Sequence, residues 1–182
     1  MTLSGICGFK VSRSCLIVVM GVSGCGKSTT GKMLAQRHDW PFLEGDDFHP
    51  PANISKMTSG VALTDRDRVD WMDAIAKGVR ASRDDVIVLA CSALTPFVRY
   101  ALDDMGRDVL YIHLKTDNVD MGARFAAREH FMPPELLDSQ YAALSLPVDV
   151  YEFDAAQSLD TLVDAIALSV QSVMQKRKHF TA

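Results

Sequence analysis

Three largely apolar runs punctuate this chain: Leu16–Met20, Val86–Ala90 and Val109–Leu114, the last broken only by His113. They are rich in β-branched residues and do not alternate with polar positions, which is the pattern of strands covered on both faces. Two further, less apolar strand signals accompany them, Trp40–Glu44 and Val148–Phe153. Between the strands the apolar period changes to that of a helix. Val69, Met72, Ile75 and Val79 predict a helix over about 68–82, and Leu159, Leu162, Val163, Ile166, Val170 and Val173 predict one from Ser158 to about Gln175. Further helices are predicted at about 27–38, in a short segment opened by Pro50-Pro51, from Thr95-Pro96 to near Gly106, and at about 117–129 and 133–143. Strand and helix signals alternating in this way predict an α/β fold around a mainly parallel sheet.

At 182 residues the chain suits one core, without repeats, low-complexity tracts or long linkers. Residues 1–14 lack periodicity and are expected to form a flexible extension ahead of one domain spanning 15–182. A net charge of −4 argues against a nucleic-acid footprint. The basic run Lys176-Arg177-Lys178 reads as a solvated helix end. No apolar stretch is long enough to span a membrane. The four cysteines have no metal-ligand spacing, and one of them, Cys25, lies in a tight glycine turn, so a reduced, cytoplasmic setting is expected.

That turn carries the chemistry. Gly21-Val22-Ser23-Gly24-Cys25-Gly26-Lys27-Ser28 fits the phosphate-loop pattern G-x-x-x-x-G-K-[ST], between a predicted strand and a predicted helix. Its backbone N–H groups and the helix N-terminus, with Thr29 next in line, are suited to the phosphates of ATP. Lys27 is expected to reach the β/γ-phosphates and the Ser28 hydroxyl to coordinate Mg²⁺. In open α/β sheets ligands lie beyond the C-terminal ends of strands, so the loops after Glu44, Ala90 and Leu114 are the places to look for the rest of a site.

Those loops hold Glu44-Gly45-Asp46-Asp47-Phe48-His49, with Asn53, Lys56, Arg66, Arg68 and Trp71 following. They also hold Cys91-Ser92-Ala93-Leu94, then Arg124, Arg128 and His130-Phe131-Met132-Pro133, with Ser139-Gln140-Tyr141 after them. In the order and spacing of these blocks, over roughly residues 17–154, the chain resembles the gluconokinases, small phosphate-loop kinases that phosphorylate D-gluconate on its 6-hydroxyl. The resemblance implies a three-layer fold like that of the nucleoside-monophosphate kinases, with a central parallel five-stranded sheet and a helical lid over about 124–140. It also implies ATP and D-gluconate as substrates, Mg²⁺ as cofactor and a homodimer.

The residue types suit such an acceptor. Carboxylates and amides match a row of hydroxyls, and cations match a carboxylate. Asp46, His49, Asn53, Lys56, Arg66 and Arg68 supply that mixture, with Arg99 as a further contender for the carboxylate and His130 as a possible substrate contact. Asp46 is the candidate catalytic carboxylate, as proton acceptor or metal ligand; Asp47 is the alternative. The strand Val86–Ala90 ends in Cys91-Ser92 and lacks the Walker-B aspartate, so Ser28 and Asp46 are the expected metal ligands. Arg124 and Arg128 share a helix face and are expected to meet the triphosphate, and Cys25 and Cys91 are expected to pack rather than react.

The chain departs from the family pattern at Ala62, Asp70, Thr95, Val98 and Ser145. The rival readings are a related small-molecule kinase, such as one for shikimate or a nucleoside monophosphate, and a nucleotide-binding module that transfers nothing.

Overall fold

The computed structural model describes residues 14–116 and 136–179. Within them five parallel strands form one sheet: β1 (Cys15–Met20), β2 (Phe42–Glu44), β3 (Val86–Ala90), β4 (Asp108–Lys115) and β5 (Val150–Asp154). Their spatial order is β2-β3-β1-β4-β5. The helices are α1 (Lys27–His38), α2 (Pro51–Thr58), α3 (Asp65–Ala81), α4 (Pro96–Asp103), α5 (Leu136–Ala143) and α6 (Leu159–His179), with a 3₁₀ turn over Gly45–Phe48. No helix of the described residues is long and apolar enough to cross a membrane.

The apolar runs have the explanation that their pattern predicts. Every residue of β1 and β3 is buried, because alternate side chains enter two different cores. Cys15, Ile17 and Val19 join Leu34 of α1 and Val163, Ile166 and Val170 of α6 on one face. Leu16, Val18 and Met20 join Trp71, Ile75 and Val79 of α3 and Val98 and Leu102 of α4 on the other. Arg37 of α1 pairs with Asp160 and Asp164 of α6, closing the first layer at its rim.

Several element bounds differ from those predicted. The second strand is only three residues long, and Trp40 stacks on His38 just before it, with ring centroids 4.4 Å apart. α3 begins at Asp65 rather than 68, because Thr64 and Asp67 form a reciprocal capping box. α4 stops at Asp103, before the positive-φ turn at Gly106. The last strand starts at Val150, and Val148 is fully exposed. The predicted extension, except Ser14, and the helix at 117–129 lie outside the described residues, as do positions 133–135.

One close approach holds β2 to the sheet centre and turns the chain after it. A Cβ built on Gly45 would stand 2.5 Å from the Ala90 carbonyl oxygen, which is too close for any side chain. Gly45→Ala is therefore expected to force the turn away from β3 and to cost about 1–3 kcal/mol, as overpacking does. A thermal melt checks this: the variant's Tm should be lower by several degrees.

Candidate active site

β1 lies between β3 and β4, so the chain leaves its C-terminal end at a point where strand order reverses, and a crevice opens there. The phosphate loop fills its floor. Gly24 and Gly26 have φ of 82° and 99°, backbone that a side chain would strain, and Gly26 leads directly into α1. No side chain caps α1 and no acidic residue stands in its first turn, an arrangement that suits an anion. Lys27 Nζ donates to the Val22 carbonyl at 3.0 Å, so the ammonium lies folded across the loop. Thr29 is on the exposed side of the first turn.

The 3₁₀ turn after β2 separates the two candidate carboxylates. Asp46 lines the cleft together with Lys27, whereas Asp47 is exposed. Trp71 forms the wall beneath them. Its indole N–H donates to the Gly45 carbonyl at 2.7 Å, and its ring stacks on His49 with centroids 4.3 Å apart. Trp71 is thus core and cleft wall together. Burial lowers the pKa of His49 below the ordinary 6.5, with Arg68 adding to the effect against the pull of Asp46.

Glu44 is a residue that sequence reasoning passed over. It ends β2, in register with Ala90 at the end of β3, and its carboxylate hydrogen-bonds Ser28 of the phosphate loop. Burial raises its pKa, opposed by Ser28, Lys27 and Lys32. An acidic side chain thus stands beside Ser28 one strand over from the position where the Walker-B aspartate is missing. Its signal was available in the sequence: an acidic residue at the C-terminal end of a strand, two positions before Asp46.

The polar segment expected to line an acceptor site divides. Arg68 lines the cleft and pairs with Asp65 at 2.7 Å. Asn53 is buried, and its Nδ2 donates to the Asp67 carbonyl at 2.8 Å. Lys56 pairs with the Asp67 carboxylate at 2.7 Å. The Lys56 ammonium, with help from Thr64, holds the Asp67 carboxyl well below the usual carboxylate range. Asn53 and Lys56 thus tie α2 to the start of α3, and Arg66 is exposed on α3.

Arg99 is likewise taken up by the fold. It is buried, Nη1 donates to the carbonyls of Ala93 (2.9 Å) and Leu94 (3.0 Å), and Nη2 donates to Ser145 Oγ at 2.8 Å. A guanidinium with these partners holds the loop after β3 in place. Cys25 and Cys91 are buried, and burial pushes the Cys91 thiol up to about 12, which leaves no thiolate at neutral pH. Among the described residues no cluster of three His, Cys, Asp or Glu could hold a metal. Arg124, Arg128 and His130 lie outside the described residues, as does the predicted lid up to 135.

Two measurements check this geometry. Arg99→Met should leave the buried Ala93 carbonyl without this donor and the Leu94 carbonyl with the Ser145 N–H, and lower stability by about 1–3 kcal/mol in urea unfolding. In an NMR titration the His49 ring should take up its proton below pH 6.5, the ordinary value, because its pKa is depressed. The accompanying stability is then present above that ordinary value and declines as the pH falls through it.

Known proteins agree with this arrangement. A family model described as an AAA domain matches residues 16–147. The gluconokinase of Gluconobacter oxydans (strain 621H) is 44% identical over 138 residues, covering 73% of this chain and 76% of that protein. The gluconokinase of Arabidopsis thaliana is 36% identical over 169 residues, covering 83% of this chain and 89% of that protein. Among solved structures, a gluconokinase from Sinorhizobium meliloti 1021 aligns with a TM-score of 0.83 at 35% identity, over 96% of this chain and 100% of that one. The APS kinase of Mycobacterium tuberculosis, at 16% identity and a TM-score of 0.61, shares the fold. With its phosphate loop, the half-site after β2 and relatives this similar over most of their length, the chain belongs to the gluconokinase family.

Proposed function

We propose that the protein transfers the γ-phosphoryl group of ATP to the 6-hydroxyl of D-gluconate, giving 6-phospho-D-gluconate and ADP. The observation that carries this reading is the meeting of Lys27 and Asp46 in one cleft, the first from the phosphate loop and the second from the turn after β2. ATP would lie along the loop with its phosphates on the N–H groups of residues 21–29 and on Lys27, whose ammonium would exchange the Val22 carbonyl for phosphate oxygens. Gluconate would lie between Asp46, His49 and Arg68, with Asp46 accepting the proton of the attacking hydroxyl. Arg68 is the described cation placed to meet the acceptor carboxylate.

The donors around Ser28 fit Mg²⁺. A hydroxyl, the Glu44 carboxylate and the nearby Asp46 are hard oxygen ligands, few enough for an ion that keeps several waters and arrives with phosphates. When bound, Mg²⁺ neutralises charge between the β- and γ-phosphates. Arg124 and Arg128 belong to this reading as charge-stabilising groups, and His130 as a substrate contact, on the strength of the family resemblance alone. The same reading takes the protein as a cytoplasmic homodimer without a nucleic-acid or membrane partner, in keeping with its net charge of −4.

ADP production from Mg-ATP tests the acceptor. Turnover is expected with gluconate, and little with shikimate, AMP or no acceptor; equal turnover in all four would defeat the proposal. Asp46→Asn should lower kcat by about 100-fold or more, the scale of a lost general base. Near-normal gluconate phosphorylation by that variant would remove Asp46 from the mechanism.

A further inference from the structure

The buried amide of Asn53 has a second neighbour besides α3. Its Nδ2 stands 2.8 Å from the Asp67 carbonyl oxygen and 3.5 Å from Nδ1 of His49. A carbonyl can only accept, so the group facing Asp67 is the NH₂ and not the amide oxygen. That NH₂ has two hydrogens, one for Asp67 and one for the ring. A ring nitrogen that receives an N–H must be bare, so in a neutral His49 the proton sits on Nε2.

The setting of the ring agrees with this. His49 lies on the Trp71 indole with 14° between the two planes, and it lines the cleft with Asp46 and Arg68. Nε2 has no hydrogen-bond partner among the described residues, where every buried side-chain nitrogen and oxygen has one, so Nε2 is accessible. The burial that lowers the pKa of the ring keeps it neutral at physiological pH, with its two nitrogens distinct. Which of them is bare matters because Asp46 shares the cleft. A bare imidazole nitrogen is the stronger base, with an ordinary pKa of about 6.5 against about 3.9 for an aspartate. Facing the acceptor, it would compete with Asp46 for the proton of the attacking hydroxyl. An Nε2 that already carries a proton can only donate to an oxygen lone pair.

We infer that Asn53 is a positioning residue that holds His49 as its Nε2–H tautomer, so that the ring donates a hydrogen bond to an oxygen of the acceptor and leaves the proton of the attacking hydroxyl to Asp46. The inference rests on the phosphotransfer reading above and deepens it on the acceptor side. The bond from the γ-phosphorus to the β–γ bridging oxygen breaks, and the bond from the acceptor oxygen forms. The proton of the attacking hydroxyl passes to Asp46, and His49 keeps its own throughout.

The tautomer is read directly by nitrogen-15 NMR of the histidine rings. In the unaltered protein without substrates, at about pH 8.5 and so well above the ordinary histidine pKa, His49 should show a bare Nδ1 and a protonated Nε2. A proton on Nδ1 overturns the proposal, and this spectrum needs no variant to fold. Asn53→Asp puts an acceptor of the same shape where the donor stood, and it should move the proton to Nδ1; an unmoved tautomer overturns the role of Asn53. Kinetics then test what Nε2 does. His49→Gln keeps an N–H donor of similar reach and His49→Met keeps none, while both lose the stacked ring. The KM for gluconate should be about fivefold higher in His49→Met than in His49→Gln, the scale of one neutral hydrogen bond. In both variants kcat should fall by less than about tenfold, since the ring takes no proton. A fall of about 100-fold or more in both would make His49 the base and overturn the proposal, and so would an equal KM in the two. An unaltered protein inactive on gluconate overturns the acceptor assignment, and the ring spectra, recorded without any acceptor, still decide on Asn53.

Discussion

The contact between Gly45 and the end of β3 is the constraint on which the cleft depends. With no side chain at 45, the backbone passes against the Ala90 carbonyl and turns at once into the 3₁₀ helix, which turns Asp46 inward and leaves Asp47 in solvent. The turn is held from both sides. The Trp71 indole bonds the Gly45 carbonyl, and α3 approaches so closely that a Cβ on Gly78 would stand 2.9 Å from the Phe48 ring. Catalytic placement within a fraction of an ångström needs such support, because a carboxylate on a freely moving loop would lose most of its effect.

The same turn explains how the fold does without an acidic residue on its central strand. β3 ends in Cys91 and Ser92, and Cys91 is buried against the turn with no charge to offer a metal. The parallel register between β2 and β3 places Glu44 level with Ala90, and from there its carboxylate reaches Ser28. A three-residue strand at the edge of the sheet thus brings one acidic side chain to the phosphate loop, and the turn that follows it brings a second, Asp46, to the cleft.

β1 and β3 were legible in the sequence because burial on both faces leaves continuous apolar runs, whereas the partly exposed edge strands β2 and β5 carry a weaker signal and shifted bounds. The phosphate loop was legible because its glycines and its lysine have fixed spacing. The polar stretch from Asn53 to Arg68 was harder to read. Side chains that tie two helices together are of the same types as those that bind a sugar acid, and composition does not distinguish them. Asn53, Lys56 and Arg99 meet protein carbonyls and carboxylates, whereas Arg68 reaches the cleft. Glu44 was missed for a different reason: the acidic residue at the end of β2 was visible, but its neighbour Ser28 comes from a different loop, and that juxtaposition arises only in the folded sheet.

The guanidinium of Arg99 joins the loop after β3 to the chain after α5, two walls of the cleft drawn from distant parts of the sequence. The opposite side, where Met57, Ala62 and Leu63 face the cleft, is fixed in another way, by Asn53 and Lys56 reaching from α2 to Asp67 at the start of α3. A buried cation and a pair of polar ties thus set the width of the opening from its two sides, so the space for an acceptor is decided by residues that need not touch it.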